Sequence, residues 1–377
     1  MYRPGTLLLL SCSIFLLKCG NKQKESTVDG SEIPIKYATG FRIEEYTDYI
    51  KLEVLSPYQG STTGFEYYLI PKGMNTPEYL NGKVVIEVPV TSVVCTSTTH
   101  IPILEYLNVS ETLKGFPNTD YISSRKVREM VDNNEVVDLG HEQGMNIEKL
   151  IALEPDLVIS YLVSGEMGQL NQIEKMGIPV IINAEYLEAH PLGRAEWIKF
   201  VGAFYGASKM ADSVFSEIEN RYNMVREKAR TASIKPTVLS GVVYGDTWFL
   251  PGGKNYASKL INDAGGNYLW KEDSSSGFLE LGFEIVYEKA LKADYWIGTA
   301  SYNSLEELLS GDARYGMFDA YQTGKVFSYN KRLGAKGGNE YLELGYLRPD
   351  LILNDLVMIL HPEFYREDEL FFFMPLK

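Results

Sequence analysis

The sequence predicts an α/β protein: two αβ lobes bridged by a single long α-helix, with an extra β-prone segment at the front. Three observations carry this. From residue 83 onward, short runs of branched apolar residues alternate with helical patterns of about ten residues, the mark of a mostly parallel sheet. Between 196 and 229 the alternation stops. There Trp197, Phe200, Val201, Phe204, Ala211, Phe215, Ile218 and Tyr222 recur three or four apart with no proline between them, and after Pro236 the alternation restarts.

The front of the chain reads as an export signal. Residues 7–17 are nearly all apolar and the run ends at Leu16-Leu17-Lys18-Cys19-Gly20. It is too short to cross a bilayer. Residues 1–19 resemble a lipoprotein signal peptide in which Cys19 receives lipid. Lys18 departs from the small residue usual before that cysteine. Cys12 is the alternative acceptor, and an ordinary secreted protein is the other reading. Polar residues 20–31 then form a flexible tether.

Residues 32–80 are the extra β-prone segment. Phe41, Ile43 and Tyr46, then Ile50, Leu52 and Val54, alternate with period two, and Phe65–Ile70 is a further strand-like run. Residues 81–195 form the N-terminal αβ lobe. Its strands are expected at Lys83–Val88, Val93–Cys95, Val136–Leu139, Pro155–Ser160 and Ile178–Ile182. Asn146 is placed to cap one helix, and Gly177 to stop another. Residues 196–229 form the interlobe helix, about 30 residues and roughly 45–50 Å long. Gly202 and Gly206 sit inside it, for close packing or a kink. Residues 230–377 form the C-terminal lobe, with strands at Thr237–Leu239, Trp248–Leu250, Tyr295–Gly298 and Lys325–Ser328. A final helix opens at Pro349. Both lobes are Rossmann-like in their alternation.

The chain has 377 residues and a formal net charge of −14, which repels nucleic acid. Of three cysteines only Cys95 lies in the body of the chain, in an apolar run, so no internal disulfide framework is available. No nucleophile elbow or phosphate loop is visible, and no histidine cluster has zinc spacing. The four histidines are dispersed at 100, 141, 190 and 361. An enzyme is not expected.

The stretch Gly144-Met145-Asn146-Ile147-Glu148-Lys149-Leu150 leads into Ala152-Leu153-Glu154-Pro155-Asp156-Leu157-Val158-Ile159. Further on come Met176-Gly177-Ile178-Pro179-Val180, Ala264-Gly265-Gly266-Asn267, and Glu284 followed by Ala290-Leu291-Lys292-Ala293-Asp294. Over residues 80–361 these motifs resemble the solute-binding proteins of ABC importers for iron chelates, haem and cobalamin. The resemblance implies a monomeric receptor, held at the cell envelope by a lipid anchor and facing the periplasm. It implies an ABC permease with its ATPase as partners, and no tightly bound cofactor. The transported ligand is then a ferric siderophore-type chelate, with cobalamin or haem as alternatives. It also implies that Glu148 and Glu284, one per lobe, dock onto permease arginines. A surface glycan-binding or adhesion lipoprotein on the same fold is the competing class. Residues 32–80 depart from the family pattern.

Ligand residues follow from the strand-end rule: loops after the carboxyl ends of parallel strands line the crevice. That rule selects His100, Tyr161, Tyr244, Trp248, Tyr302, Tyr329 and Arg332 as the ligand-cleft set. The aromatic residues suit a flat, ring-rich solute, and Arg332 an anionic chelate. Each has an ordinary packing or surface role as its alternative.

Overall fold

A computed structural model describes Met1 and residues 30–141, 144–365 and 369–377. The signal-like stretch with Cys12 and Cys19 lies outside the described residues, as does the tether segment except for residues 30 and 31.

Two parallel sheets organise the molecule. In the N-terminal lobe the order is Val180–Ile182, Leu157–Ser160, Val93–Cys95, Leu113–Phe116, Val137–Asp138. All neighbours in it are parallel. Leu157–Ser160 is buried at every position, as a strand covered on both faces must be. In the C-terminal lobe the order is Asn267–Tyr268, Thr237–Ser240, Tyr295–Ile297, Val326–Ser328. These pairs are parallel too. Met374–Pro375 adds an antiparallel edge. A three-stranded antiparallel sheet of Val242–Tyr244, Thr247–Pro251 and Phe278–Leu281 is inserted in this lobe.

The two lobes repeat one local device. Asp156, just before a strand, accepts from Thr91 N (2.6 Å), Thr91 Oγ1 (3.0 Å) and Ser92 N (3.1 Å). Asp294, at the matching place, accepts from Thr237 N and Thr237 Oγ1, both at 2.7 Å. Each carboxylate satisfies backbone donors at the start of its lobe's first strand and fixes the register of the neighbouring one.

The helix expected over 196–229 is two helices, Pro191–Ala203 and Ser208–Arg230. They fold into an antiparallel hairpin. Lys199 Nζ lies 3.4 Å from Asp212, and the rings of His190 and Tyr222 lie 6.5 Å apart. The apolar period runs through both helices, so it hides the corner between them. The break itself is at Gly206, with φ +62°, a backbone that ends helices and that other residues adopt at a cost. The Ser208–Arg230 helix alone bridges the lobes, spanning roughly 35 Å. At its start, Phe204 O accepts from Val90 N at 2.9 Å and Tyr205 Oη meets Thr112 Oγ1 at 3.2 Å. At its end, Lys228 bonds Phe364 O at 3.2 Å and lies over the Tyr365 ring at 3.7 Å. Among the described residues no helix is long and apolar enough to cross a membrane.

The extra front segment is a sheet of its own, with strands Ser31–Glu32, Phe41–Glu45, Ile50–Val54, Phe65–Pro71 and Val85–Val88. The last of these was expected to open the N-terminal lobe. Instead it pairs in parallel with Phe65–Pro71, and the chain turns through Pro89 and Val90 before Val93–Cys95 begins the lobe. Phe41 packs edge-on to Trp197 at 4.8 Å and to Phe200 at 5.6 Å, which seats this sheet on the Pro191–Ala203 helix.

Candidate functional site

Cavities open where the strand-end loops of the two lobes meet. The first, about 460 Å³, takes Ser240, Gly241, Ile297, Gly298 and Tyr329 from the C-terminal sheet's strand ends. The turn at Glu185–Leu187 and the start of the Pro191–Ala203 helix add Tyr186, Leu187 and Arg194. The second, about 660 Å³, takes Thr96, Ser97, Thr98, Phe116, His141 and Tyr161 from the N-terminal sheet's strand ends, faced by Gly337, Gly338 and Asn339. Leu342 lines both, so the two are halves of one interlobe cleft. Their sizes fall in the usual range of small-molecule sites, ~300–1,000 Å³. A third cavity, about 820 Å³, lies between Ser123–Arg128 and Lys331–Ala335.

Arg194 is the cation of the first cavity. Its guanidinium carbon stands 3.9 Å from the Tyr256 ring centroid and 4.3 Å from that of Tyr346. Nε donates to Glu188 O at 3.0 Å and Nη2 to Tyr186 O at 2.9 Å. Among the described residues no carboxylate forms an ion pair with it, so its charge is held by aromatic faces and carbonyls and stays available to an anion. Tyr329 stacks on Tyr341 at 4.6 Å and 16° in the same cavity. Burial pushes the hydroxyls of Tyr256, Tyr329 and Tyr341 up, which keeps them neutral and able to donate.

The lobes also touch directly. Glu343 accepts from Ser123 N at 2.7 Å and Ser124 N at 2.8 Å across the cleft. Arg348 pairs with Asp350 and donates Nη1 to Tyr106 Oη at 2.5 Å. Burial pushes Glu343 up to about 7. Glu185, behind the cleft floor, is also pushed up to about 7 by burial; Oε1 takes a bond from Thr99 and Oε2 has no partner among the described residues.

The structure sorts the sequence-derived cleft residues. Tyr329 and Tyr161 line the first and second cavities. Arg332 lines the third, where Glu340 neutralises it through Nε (2.5 Å) and Nη2 (3.1 Å). Trp248 is 0% exposed and packs against Trp296, Tyr315 and Phe318 in the lobe core. Strand alternation explains the miss: Trp248 and Leu250 point inward, and Phe249 between them lines the cleft. His100 is 1% exposed, one residue beyond the loop that forms the cavity wall. Burial pushes it down to about 3, so the ring is neutral, and it lines none of the three cavities. Tyr302 packs over Gly311 and lines none of the three cavities; Tyr244, 82% exposed at a hairpin end, lines none of them either. Arg194, Tyr186, Tyr256 and Tyr346 escaped the sequence reading. The loop after Val180–Ile182 obeys the same strand-end rule and leads straight to Tyr186.

Glu148 and Glu284 stand at matching places. Each is exposed in the first turn of a helix, Ile147–Ala152 or Phe283–Ala290. Each helix precedes the strand that pairs with its lobe's first strand.

Similarity to known proteins agrees with this architecture. An uncharacterized lipoprotein of Methanocaldococcus jannaschii is 27% identical over 363 residues, covering 90% of this chain and 84% of that protein. A second uncharacterized lipoprotein of that organism is 26% identical, covering 89% of this chain and 84% of its own length. In three dimensions, a periplasmic heme-binding protein from Pseudomonas aeruginosa is similar with TM-score 0.58 at 17% identity, over 76% of this chain and 98% of that one. The periplasmic vitamin B12-binding protein of Vibrio cholerae is similar with TM-score 0.53 at 14% identity, over 74% and 99%. Residues 93–333, the greater part of both lobes, match the periplasmic binding protein family model, and the chain belongs to that family.

Proposed function

We propose that this chain is the substrate-binding lipoprotein of an ABC importer, capturing a metal chelate between its lobes and delivering it to the permease. The observation that carries the reading is Arg194, an arginine with no carboxylate partner among the described residues, held between Tyr256 and Tyr346 at the wall of the interlobe cleft. An aromatic-lined space with one available cation suits an anionic, ring-rich solute. Ferric siderophore-type chelates come first by that chemistry, with cobalamin and haem next. Structural relatives named for heme and vitamin B12 binding support the same range.

Delivery requires docking, and Glu148 and Glu284 are the proposed contacts. Two exposed carboxylates at equivalent helix starts can each take a bidentate arginine, and together they orient the receptor. Lipidation at Cys19 is the proposed anchor, supported by the lipoprotein names of the archaeal relatives.

Equilibrium titration of the full-length chain with a ferric trihydroxamate, cyanocobalamin and haemin tests the reading. Saturable one-to-one binding of at least one solute is expected. Binding of none of them, alongside saturable binding of an oligosaccharide, would replace it with the glycan-binding class.

A further inference from the structure

The N-terminal sheet carries an inference that the family match does not contain, since the match begins at residue 93 and the sheet ends at Val88. The sheet is fastened to the start of the Pro191–Ala203 helix, which holds Arg194. Five consecutive backbone N–H groups are taken by two buried carboxylates. Lys36 N (2.9 Å), Tyr37 N (2.7 Å) and Ala38 N (3.0 Å) donate to Glu196. Thr39 N and Gly40 N, each at 2.8 Å, donate to Glu188. Trp197 Nε1 adds a further bond to the Glu188 carboxylate at 3.2 Å. The carbonyl of that same Glu188 accepts Arg194 Nε. One residue thus holds the sheet through its side chain and the cleft cation through its backbone. Buried charge-assisted bonds of this number leave little room for the sheet to swing independently.

The loop between Ile50–Val54 and Phe65–Pro71 then reaches the cleft. Tyr58-Gln59-Gly60-Ser61 is a tight turn closed by Ser61 N to Tyr58 O at 3.1 Å, with Gly60 at φ +82° as a type II turn requires. Tyr58 seats the loop on the N-terminal lobe: its hydroxyl packs so closely on Gly165 that a Cβ there would come within 2.9 Å. The next residue, Gln59, lines the first cavity beside Tyr186, Leu187 and Arg194. Gln59 is exposed and its carboxamide makes no hydrogen bond to any described residue, so both its donor and its acceptor are free at the cavity's edge.

We propose that the N-terminal sheet is a fixed third wall of the solute cleft and that Gln59 is a solute contact that sets specificity. It reads a polar group of the solute adjacent to the anionic group taken by Arg194. This rests on the receptor reading above. Without the sheet, this side of the first cavity would lack the wall that Gln59 supplies. Here it is closed by a rigid element, which narrows the choice of solute without a moving lid.

The test uses the full-length chain and the same three probes. With the probe that binds most tightly, Gln59→Ala is expected to weaken affinity about tenfold, the loss of one hydrogen bond. Gln59→Glu, which places a second anion beside the solute's own, is expected to weaken it further. The thiol of a Gln59→Cys chain, measured against the unsubstituted chain, is expected to be protected from maleimide by bound solute. Thr47→Cys, at an exposed position on a different turn of the sheet, is expected to react at the same rate with or without solute. Two results together overturn the third wall and leave the receptor standing. In them the wild type binds with Gln59→Ala and Gln59→Glu within twofold of it, and the thiol of Gln59→Cys is alkylated equally with and without solute. Failure of the wild type to bind any probe overturns both.

Discussion

The carboxylate of Glu343 in the C-terminal lobe accepts the backbone N–H of Ser123 in the N-terminal lobe at 2.7 Å, and that of Ser124 at 2.8 Å. It caps the start of the Arg125–Asp132 helix from the opposite side of the cleft, where Ser124 is the N-cap residue. This contact between the lobes buries a carboxylate, and burial pushes it up to about 7.

That shift, shared by Glu185, has a signed consequence. An acid whose folded pKa lies above its unfolded value favours the folded state most when protonated. Stability contributed this way is full below the unfolded value of 4.5, is lost as pH rises toward about 7, and is absent above. Denaturant unfolding between pH 4.5 and 8 is expected to show a smaller fall in stability across that window for Glu185→Gln and Glu343→Gln than for wild type. The difference is at most about 3 kcal/mol per site. Identical slopes in all three chains would contradict the burial argument.

Arg194 is expected to matter for solute more than for folding. Arg194→Ala removes the only cation among the described residues that line the first cavity, and should weaken binding of an anionic chelate by about tenfold or more. Arg194→Lys keeps the charge, loses the planar stacking between Tyr256 and Tyr346, and should fall between the two. Titration of all three chains checks this, and equal affinities would remove Arg194 from the site.

Trp248 and Phe249 are neighbours with opposite roles. Trp248→Ala is expected to destabilise the chain by about 3–5 kcal/mol, from the cavity left among Trp296, Tyr315 and Phe318. Phe249→Ala should cost less stability and weaken solute binding, because its ring faces the first cavity. Thermal melts paired with titrations separate the two effects.

Double charge reversal, Glu148→Arg with Glu284→Arg, is expected to leave solute affinity unchanged within about twofold and to lower importer-dependent uptake by about tenfold or more. Both residues are exposed, and neither lines any of the three cavities. Uptake at the wild-type rate would remove them as docking contacts.

Most of the two-lobe architecture was legible because parallel strands announce themselves. Leu157–Ser160 and Val180–Ile182 are short apolar runs bounded by turn residues, and Asn146 caps its helix through Lys149 N as expected. The hairpin corner was not legible. The apolar spacing from Trp197 to Tyr222 is the same for one straight helix as for two that fold back, and only Gly206 distinguishes them. The site was half legible for a similar reason. Strand-end loops name regions that line the cavities, as with Tyr161 and Tyr329. Which side chain of a strand faces the crevice turns on a one-residue register, and that choice picked Trp248 over Phe249. Tyr256, Tyr341 and Tyr346 converge only through tertiary packing around Arg194.

The most direct measurement is a crystal structure of the full-length chain bound to its tightest probe among the ferric trihydroxamate, cyanocobalamin and haemin. The expected result places the solute in the space joined at Leu342, stacked against Tyr329 or Tyr346, with a polar group within hydrogen-bonding distance of Arg194. Solute density on the outer face of either lobe, with the cleft between Arg194 and Leu342 empty, would contradict it.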